Sequence, residues 1–161
     1  AIYYYTPAAV GVHKDSKISK ISELSGKKVG TGTGTTFELY LQQDLTIDAA
    51  GAPTFNFQVD KPVIKSYETS TIALDDLRLG DGVRLDGVVS SLPVFIEAIK
   101  NGYPIKVLGD PIFYEPLAVT IDLGDSELNA KIASIVAAMQ DEGVLSEMSK
   151  KWYGVDYATV K

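Results

Sequence analysis

The sequence has no cysteine and one histidine, His13. Without thiols there is no cysteine nucleophile, no zinc–cysteine cluster and no disulfide staple. A lone histidine offers no second imidazole to a metal. His13 also has no serine or cysteine partner in an elbow context, so it reads as a surface residue at a strand end and not as a general base. Basic side chains are in deficit: 15 Lys and Arg stand against 21 Asp and Glu, a formal net charge of −6. That leaves no electrostatic footprint for a nucleic-acid backbone. It argues equally against docking on anionic lipid. No apolar run approaches the ~20 residues of a membrane span. The first residues, Ala1-Ile2-Tyr3-Tyr4-Tyr5, carry no basic n-region or signal h-region, and read as chain continued from something longer.

What is present is a globular composition. The chain has 161 residues, 45% hydrophobic and 22% charged. A chain of this size hides roughly 70% of its unfolded surface when it folds. Apolar runs alternate with helical patterns, the mark of βα units and a mainly parallel α/β sheet flanked by helices. Strands are expected at 8–12, 28–31, 54–59, 85–89, 105–108 and 117–121. In the third of these Phe55, Phe57 and Val59 recur at period two. Helices are expected at 36–44, 69–79 and 91–101. In the last, Leu92, Phe95, Ile96 and Ile99 fall at i, i+3, i+4 and i+7 and mark its core face. A long helix opens at Asp125-Ser126 with Leu128, Ile132, Ile135, Val136 and Met139, and Gly143 closes it. A second carries Leu145, Met148 and Trp152, read as core, and ends at Gly154. A boundary is expected near Tyr114-Glu115-Pro116.

The richest local motif is Gly30-Thr31-Gly32-Thr33-Gly34-Thr35-Thr36, between a strand and a helix. Glycines let the backbone turn sharply and approach a ligand closely. The next helix offers unpaired N–H groups, with Thr35 or Thr36 as its cap. Together these make an anion site or, more plainly, a capped tight turn. No Gly-Lys-Ser/Thr follows, so this is not a P-loop. Thr35 stands where a dinucleotide fingerprint needs its third glycine. Ser90-Ser91 precedes the helix at Leu92. Ser91 reads as its N-cap, and both hydroxyls sit at the C-terminal strand edge where open α/β sheets bind ligands. No carboxylate pair announces an acid/base dyad. Asp75-Asp76 and Asp141-Glu142 read as solvated, and Tyr3-Tyr4-Tyr5 as either a stacking platform or a connector.

Three ordered stretches resemble the second lobe of amino-acid-type solute-binding proteins of ABC importers. The first runs Lys14-Asp15-Ser16-Lys17-Ile18, Ile21-Ser22-Glu23-Leu24-Ser25-Gly26-Lys27-Lys28-Val29-Gly30 and Gly34-Thr35-Thr36. The second is Leu77-Arg78-Leu79-Gly80 with Arg84-Leu85-Asp86-Gly87-Val88-Val89, which carries two extra residues between its halves. The third is Asp125-Ser126-Glu127-Leu128 through Asp141-Glu142-Gly143 to Lys150-Lys151-Trp152-Tyr153-Gly154.

The resemblance implies a type II periplasmic-binding-protein-like fold, two α/β lobes hinged over a ligand. On that plan residues 1–7 form the first crossing, 8–113 lobe two, 114–117 the second crossing, and 118–161 a tail belonging to lobe one, whose N-terminal part is absent. It implies a non-enzymatic protein without cofactor or metal. Its ligand is a small polar solute, an amino acid or carboxylate-bearing anion, and its macromolecular partner an importer permease. The implied location is periplasmic or extracellular, with a signal peptide in the precursor and lipid anchoring of the full-length protein left open.

By position, Thr33, Gly34, Thr35 and Thr36 resemble the pocket for a ligand carboxylate, and Ser90 and Ser91 join them. Ser91 stands where these binders usually place an aspartate for the ligand ammonium. A serine cannot neutralise a buried cation, which favours a dicarboxylate, another organic anion or a differently held amine. Two alternatives use the same scaffold: a receptor's sensing domain, and a dehydratase-like enzyme with Glu115 or Glu68 as acid. The helices from Asp125 onward, without the rest of lobe one, are expected to fold back, self-associate or swap between copies.

Overall fold

The computed structural model describes residues 1–47 and 55–159. The chain divides into two compact units, one spanning Ala8–Phe113 and the other joining Ala1–Pro7 to Tyr114–Lys161.

The larger unit is built on a mixed sheet. The elements in chain order are β1 (Ile2–His13), β2 (Lys28–Gly32), α1 (Thr36–Gln42), β3 (Val63–Tyr67), α2 (Ser70–Leu77), β4 (Gly87–Ser91), α3 (Leu92–Lys100) and β5 (Ile105–Ala118), with residues 2–7 of β1 and 114–118 of β5 belonging to the smaller unit. The strand order is β3-β2-β4-β1-β5. β2 runs parallel to β3 and β4, and β1 runs antiparallel to β4. Both faces are covered, which is why these strands are near-continuous apolar runs. Alternation along each strand feeds two cores. Ala8, Val10 and Val12 of β1, Val29 of β2 and Val89 of β4 pack with Phe37, Tyr40 and Leu41 of α1. Ala9 and Val88 point the other way, to Leu74 and Leu77 of α2 and Phe95 of α3.

Several expectations are corrected. Residues 55–59 form no strand. Their period-two pattern is real as packing: Val59 is buried, and Phe55 and Phe57 lean on the same core. The backbone there is held instead by the Tyr40 hydroxyl, which donates to Asn56 O at 2.8 Å and accepts from Gln58 N at 2.9 Å. Thr54 lies outside the described residues. The two strands expected at 105–108 and 117–121 are one strand, β5, ending at Ala118. β4 begins at Gly87, with Leu85 buried just before it. On α3, Ile96 and Ile99 are exposed, and Phe95 and Ala98 form the buried face. Asp75 and Asp76 are not free in solvent. Asp75 accepts from Tyr103 and pairs with Arg78, while Asp76 accepts from Tyr67 and pairs with Arg84. His13 is only 7% exposed, its Nδ1 accepting from Asp15 N at 3.3 Å in the turn that follows β1.

The smaller unit holds α4 (Ser126–Asp141) and α5 (Val144–Tyr153). Asp125 caps α4 by accepting from Leu128 N, and Gly143 and Gly154 take the positive φ, 75° each, at the two ends of α5. Tyr4 packs its ring against Tyr153 and Tyr157, so this tyrosine of the opening triplet is a connector within its unit. Trp152 is 72% exposed, against the expectation that it is core, and Leu128, Ile135 and Met148 are exposed with it. Helical spacing identifies an apolar face, but burial also needs an element to cover it. Within α4 and α5 only Val136 and Ser149 are buried, and Tyr157 and Ala158 beyond α5 are buried with them.

Candidate functional site

The parallel strands β3, β2 and β4 finish level with one another. Gly32 pairs with Tyr67. Gly30 pairs with Val88, two residues before Gly32 and Ser90 in their strands. β1 brings Ala8 opposite Ser91 and Ala9 opposite Ser90. From this one edge α1, α2 and α3 all start, with Thr35, Thr69 and Ser91 at their N-cap positions. This is the carboxyl edge of a parallel sheet, where ligands of open α/β folds sit. The structure therefore gathers Thr33, Gly34, Thr35, Thr36, Ser90 and Ser91 on one edge.

Their local roles differ. Thr35 Oγ1 donates to Gly32 O at 2.7 Å and accepts from Glu38 N at 3.3 Å. Its hydroxyl is thus spent inside the cap. Thr33 donates its backbone N–H to Tyr67 O at 2.7 Å, tying the loop to β3, and its side chain is exposed. Ser91 occupies the N-cap backbone position of α3 with no side-chain cap bond, so the reading of its hydroxyl as the cap is corrected. Ser90 is 1% exposed beneath it.

The glycines of the motif also part company. Gly34 has φ 70°, a conformation other residues adopt under strain, and nothing lies within 4 Å of where its Cβ would be. Gly30 is different. A Cβ there would meet Leu85 Cδ1 at 2.6 Å and Ala73 Cβ at 3.3 Å, so this glycine serves helix–sheet packing.

Two residues of this edge stand outside the sequence expectation. Glu38, in the first turn of α1, accepts from Gly34 N at 2.7 Å through one carboxylate oxygen and from the Ser66 hydroxyl through the other. Those two donors hold its carboxyl below the usual glutamate range. The signal was available: Thr35 and Glu38 have capping-box spacing. Thr31, paired in register with Ser66, has a fully buried hydroxyl that lacks a partner among the described residues. Glu68 is exposed at the end of β3. Among the described residues no three His, Asp or Glu side chains cluster as a metal site, and no helix is long and apolar enough to cross a membrane.

No family model matches the sequence. A probable amino-acid-binding protein of Bacillus subtilis is 30% identical over 159 residues, covering 96% of this chain and 54% of the relative. An L-cystine-binding protein of Escherichia coli is 27% identical over 150 residues, covering 92% of this chain and 50% of its own. Among solved structures, an ancestral arginine-binding protein bound to glutamine superposes with a TM-score of 0.72 at 27% identity, over 96% of this chain and 62% of that one. The chain spans about half the length of the curated relatives it matches.

Proposed function

We propose that this chain, a homologue of the amino-acid-binding proteins of ABC transporters, acts as part of such a solute-binding protein, capturing a small amino acid for an importer permease outside the cytoplasmic membrane. The observation that carries this is the common edge of β2, β3 and β4, where three helix starts and the residues 33–36 and 90–91 converge. Unpaired N–H groups at helix starts favour a carboxylate, and hydroxyls supply neutral hydrogen bonds.

In this reading residues 8–113 are lobe two, residues 1–7 and 114–117 the crossings, and 118–161 the tail of lobe one. The larger unit provides one wall of the solute site. One wall leaves a small ligand largely hydrated, so binding by this chain alone is weak. The test is an NMR titration of the 15N-labelled chain with L-glutamine, L-arginine and L-cystine. Amide shifts concentrated at 33–36 and 90–91, with millimolar affinity, are expected. A uniform absence of response there overturns the reading, and sub-micromolar affinity of a verified monomer overturns the single-wall part of it.

The same reading includes pairing of two copies through the exposed apolar side chains of α4 and α5. Light scattering that gives a monomer at all concentrations, with no binding of an apolar dye, removes that component.

A further inference from the structure

The loop between β2 and α1 carries an anion of its own. Glu38 Oε2 sits 2.7 Å from the Gly34 amide nitrogen, so the donor that an incoming carboxylate would take from Gly34 is already in use. The second oxygen is bound by the Ser66 hydroxyl on β3, which prevents the side chain from swinging clear. The charge is not cancelled. Among the described residues Glu38 has no ion-pair partner within 4.0 Å. Lys65 neighbours Ser66 in sequence but, by strand alternation, projects from the other face. Tyr67, which ends β3, is a phenol hydrogen-bonded to Asp76, and the residue after it is Glu68, a second carboxylate.

We propose that Glu38 is a charge-selecting residue. As a resident carboxylate on the Gly34 amide, it turns away solutes that bring an additional carboxylate to this edge and leaves neutral and cationic amino acids. This rests on the edge being a solute wall. It reverses the sequence expectation that Ser91 opens the site to dicarboxylates. Ser91 does remove one negative charge from the edge, but Glu38 supplies another from a different strand–helix connection. Like charges a few ångströms apart near a protein surface repel strongly, and salt weakens this only partly.

The experiment follows the Gly34 and Thr35 amide signals of the 15N-labelled chain and of its E38Q and E38A variants, titrated separately with sulfate, L-glutamine and L-glutamate. Retained signal dispersion establishes that each variant is folded. Sulfate is expected to bind the variants at least about tenfold more tightly than the wild type, with E38A above E38Q because alanine also frees the donor. The affinity ratio of L-glutamate to L-glutamine is expected to rise by a similar factor in E38Q. Equal sulfate responses in all three proteins, or no response in any, overturn the role of Glu38. Sulfate behaving as expected while no amide at 33–36 or 90–91 answers either amino acid overturns the solute wall and leaves Glu38 as an anion-excluding residue.

Discussion

Gly30 and Thr31 are neighbours in β2 and respond in opposite directions to the same kind of change. Gly30 is crowded. The methyl of Gly30→Ala must displace Leu85 and press on Ala73, both fully buried, and overpacking of this sort costs about 1–3 kcal/mol. Thr31 is the reverse case, a buried hydroxyl without a partner among the described residues. Replacing it by the similarly shaped valine removes a desolvated polar group, and Thr31→Val is expected to raise stability by about 1 kcal/mol. Urea denaturation of both variants checks the pair. A stabilised Gly30→Ala would show that α2 can move off the sheet, and a destabilised Thr31→Val would show that an ordered water satisfies Thr31. The cap at Thr35 is a third residue-scale case. Thr35→Ala strips the acceptor for Glu38 N and the donor to Gly32 O. It is expected to cost about 1 kcal/mol, with Thr35→Ser restoring most of it.

At the scale of elements, Tyr40 stands in for a strand partner. Its hydroxyl satisfies Asn56 O and Gln58 N, and its ring packs on Phe57 and Phe113. Tyr40→Phe keeps the ring and leaves two backbone groups to find water. Hydrogen exchange at Gln58 is expected to accelerate about tenfold, with little change in the amides of β2. Unchanged exchange at Gln58 would mean that Phe55, Phe57 and Val59 anchor the segment without the hydroxyl. This segment also shows why some elements were legible in sequence and others not. Val10, Val29 and Val89 lie in strands whose both faces are buried, and α1 and α2 begin at threonines that cap them, so local chemistry and tertiary position agree. Phe55, Phe57 and Val59 alternate correctly, but a strand also needs a neighbour with free backbone groups, which periodicity does not report. Trp152 and Ile99 failed for a related reason, since spacing shows which residues share a face and not whether anything covers it. The site divides the same way. Its loop and serines were readable from glycines and strand ends, whereas the use of Thr35 Oγ1 and Gly34 N–H inside the chain depends on Glu38 reaching back, a side-chain conformation.

For the whole molecule, the ionisable groups set limits at both ends of the pH scale. Burial and the hydrogen bond to Asp76 raise the Tyr67 phenol to about 12. Burial also raises Tyr4, Tyr40 and Tyr157, and the hydrogen bond to Asp75 raises Tyr103. A phenol whose folded value is raised contributes stability in full below its unfolded value near 10, and loses it as pH climbs through the folded value. Unfolding is therefore expected between about pH 10 and 12, with phenolate absorbance and loss of far-ultraviolet ellipticity rising together. Phenolate formation well before the loss of structure would show these tyrosines to be solvated. Glu38 and Glu23 act in the other direction. Donors hold both below their unfolded value, Ser66 and Gly34 for the first and the Ser19 and Lys20 amides for the second, so their contribution is present above about pH 4.5 and fades as pH falls.

The smaller unit is made from the two ends of the chain, as when Tyr5 N donates to Tyr157 O and Gln140 Nε2 to Ile2 O. The larger unit is thus an insertion, entered through β1 and left through β5. Tension applied between residues 1 and 159 is carried across the pairing of the two terminal segments, and the inserted sheet bears no load until that pairing parts. In a pulling experiment the first rupture belongs to the smaller unit, and the sheet that carries Thr33–Thr36 and Ser90–Ser91 is mechanically sheltered behind it.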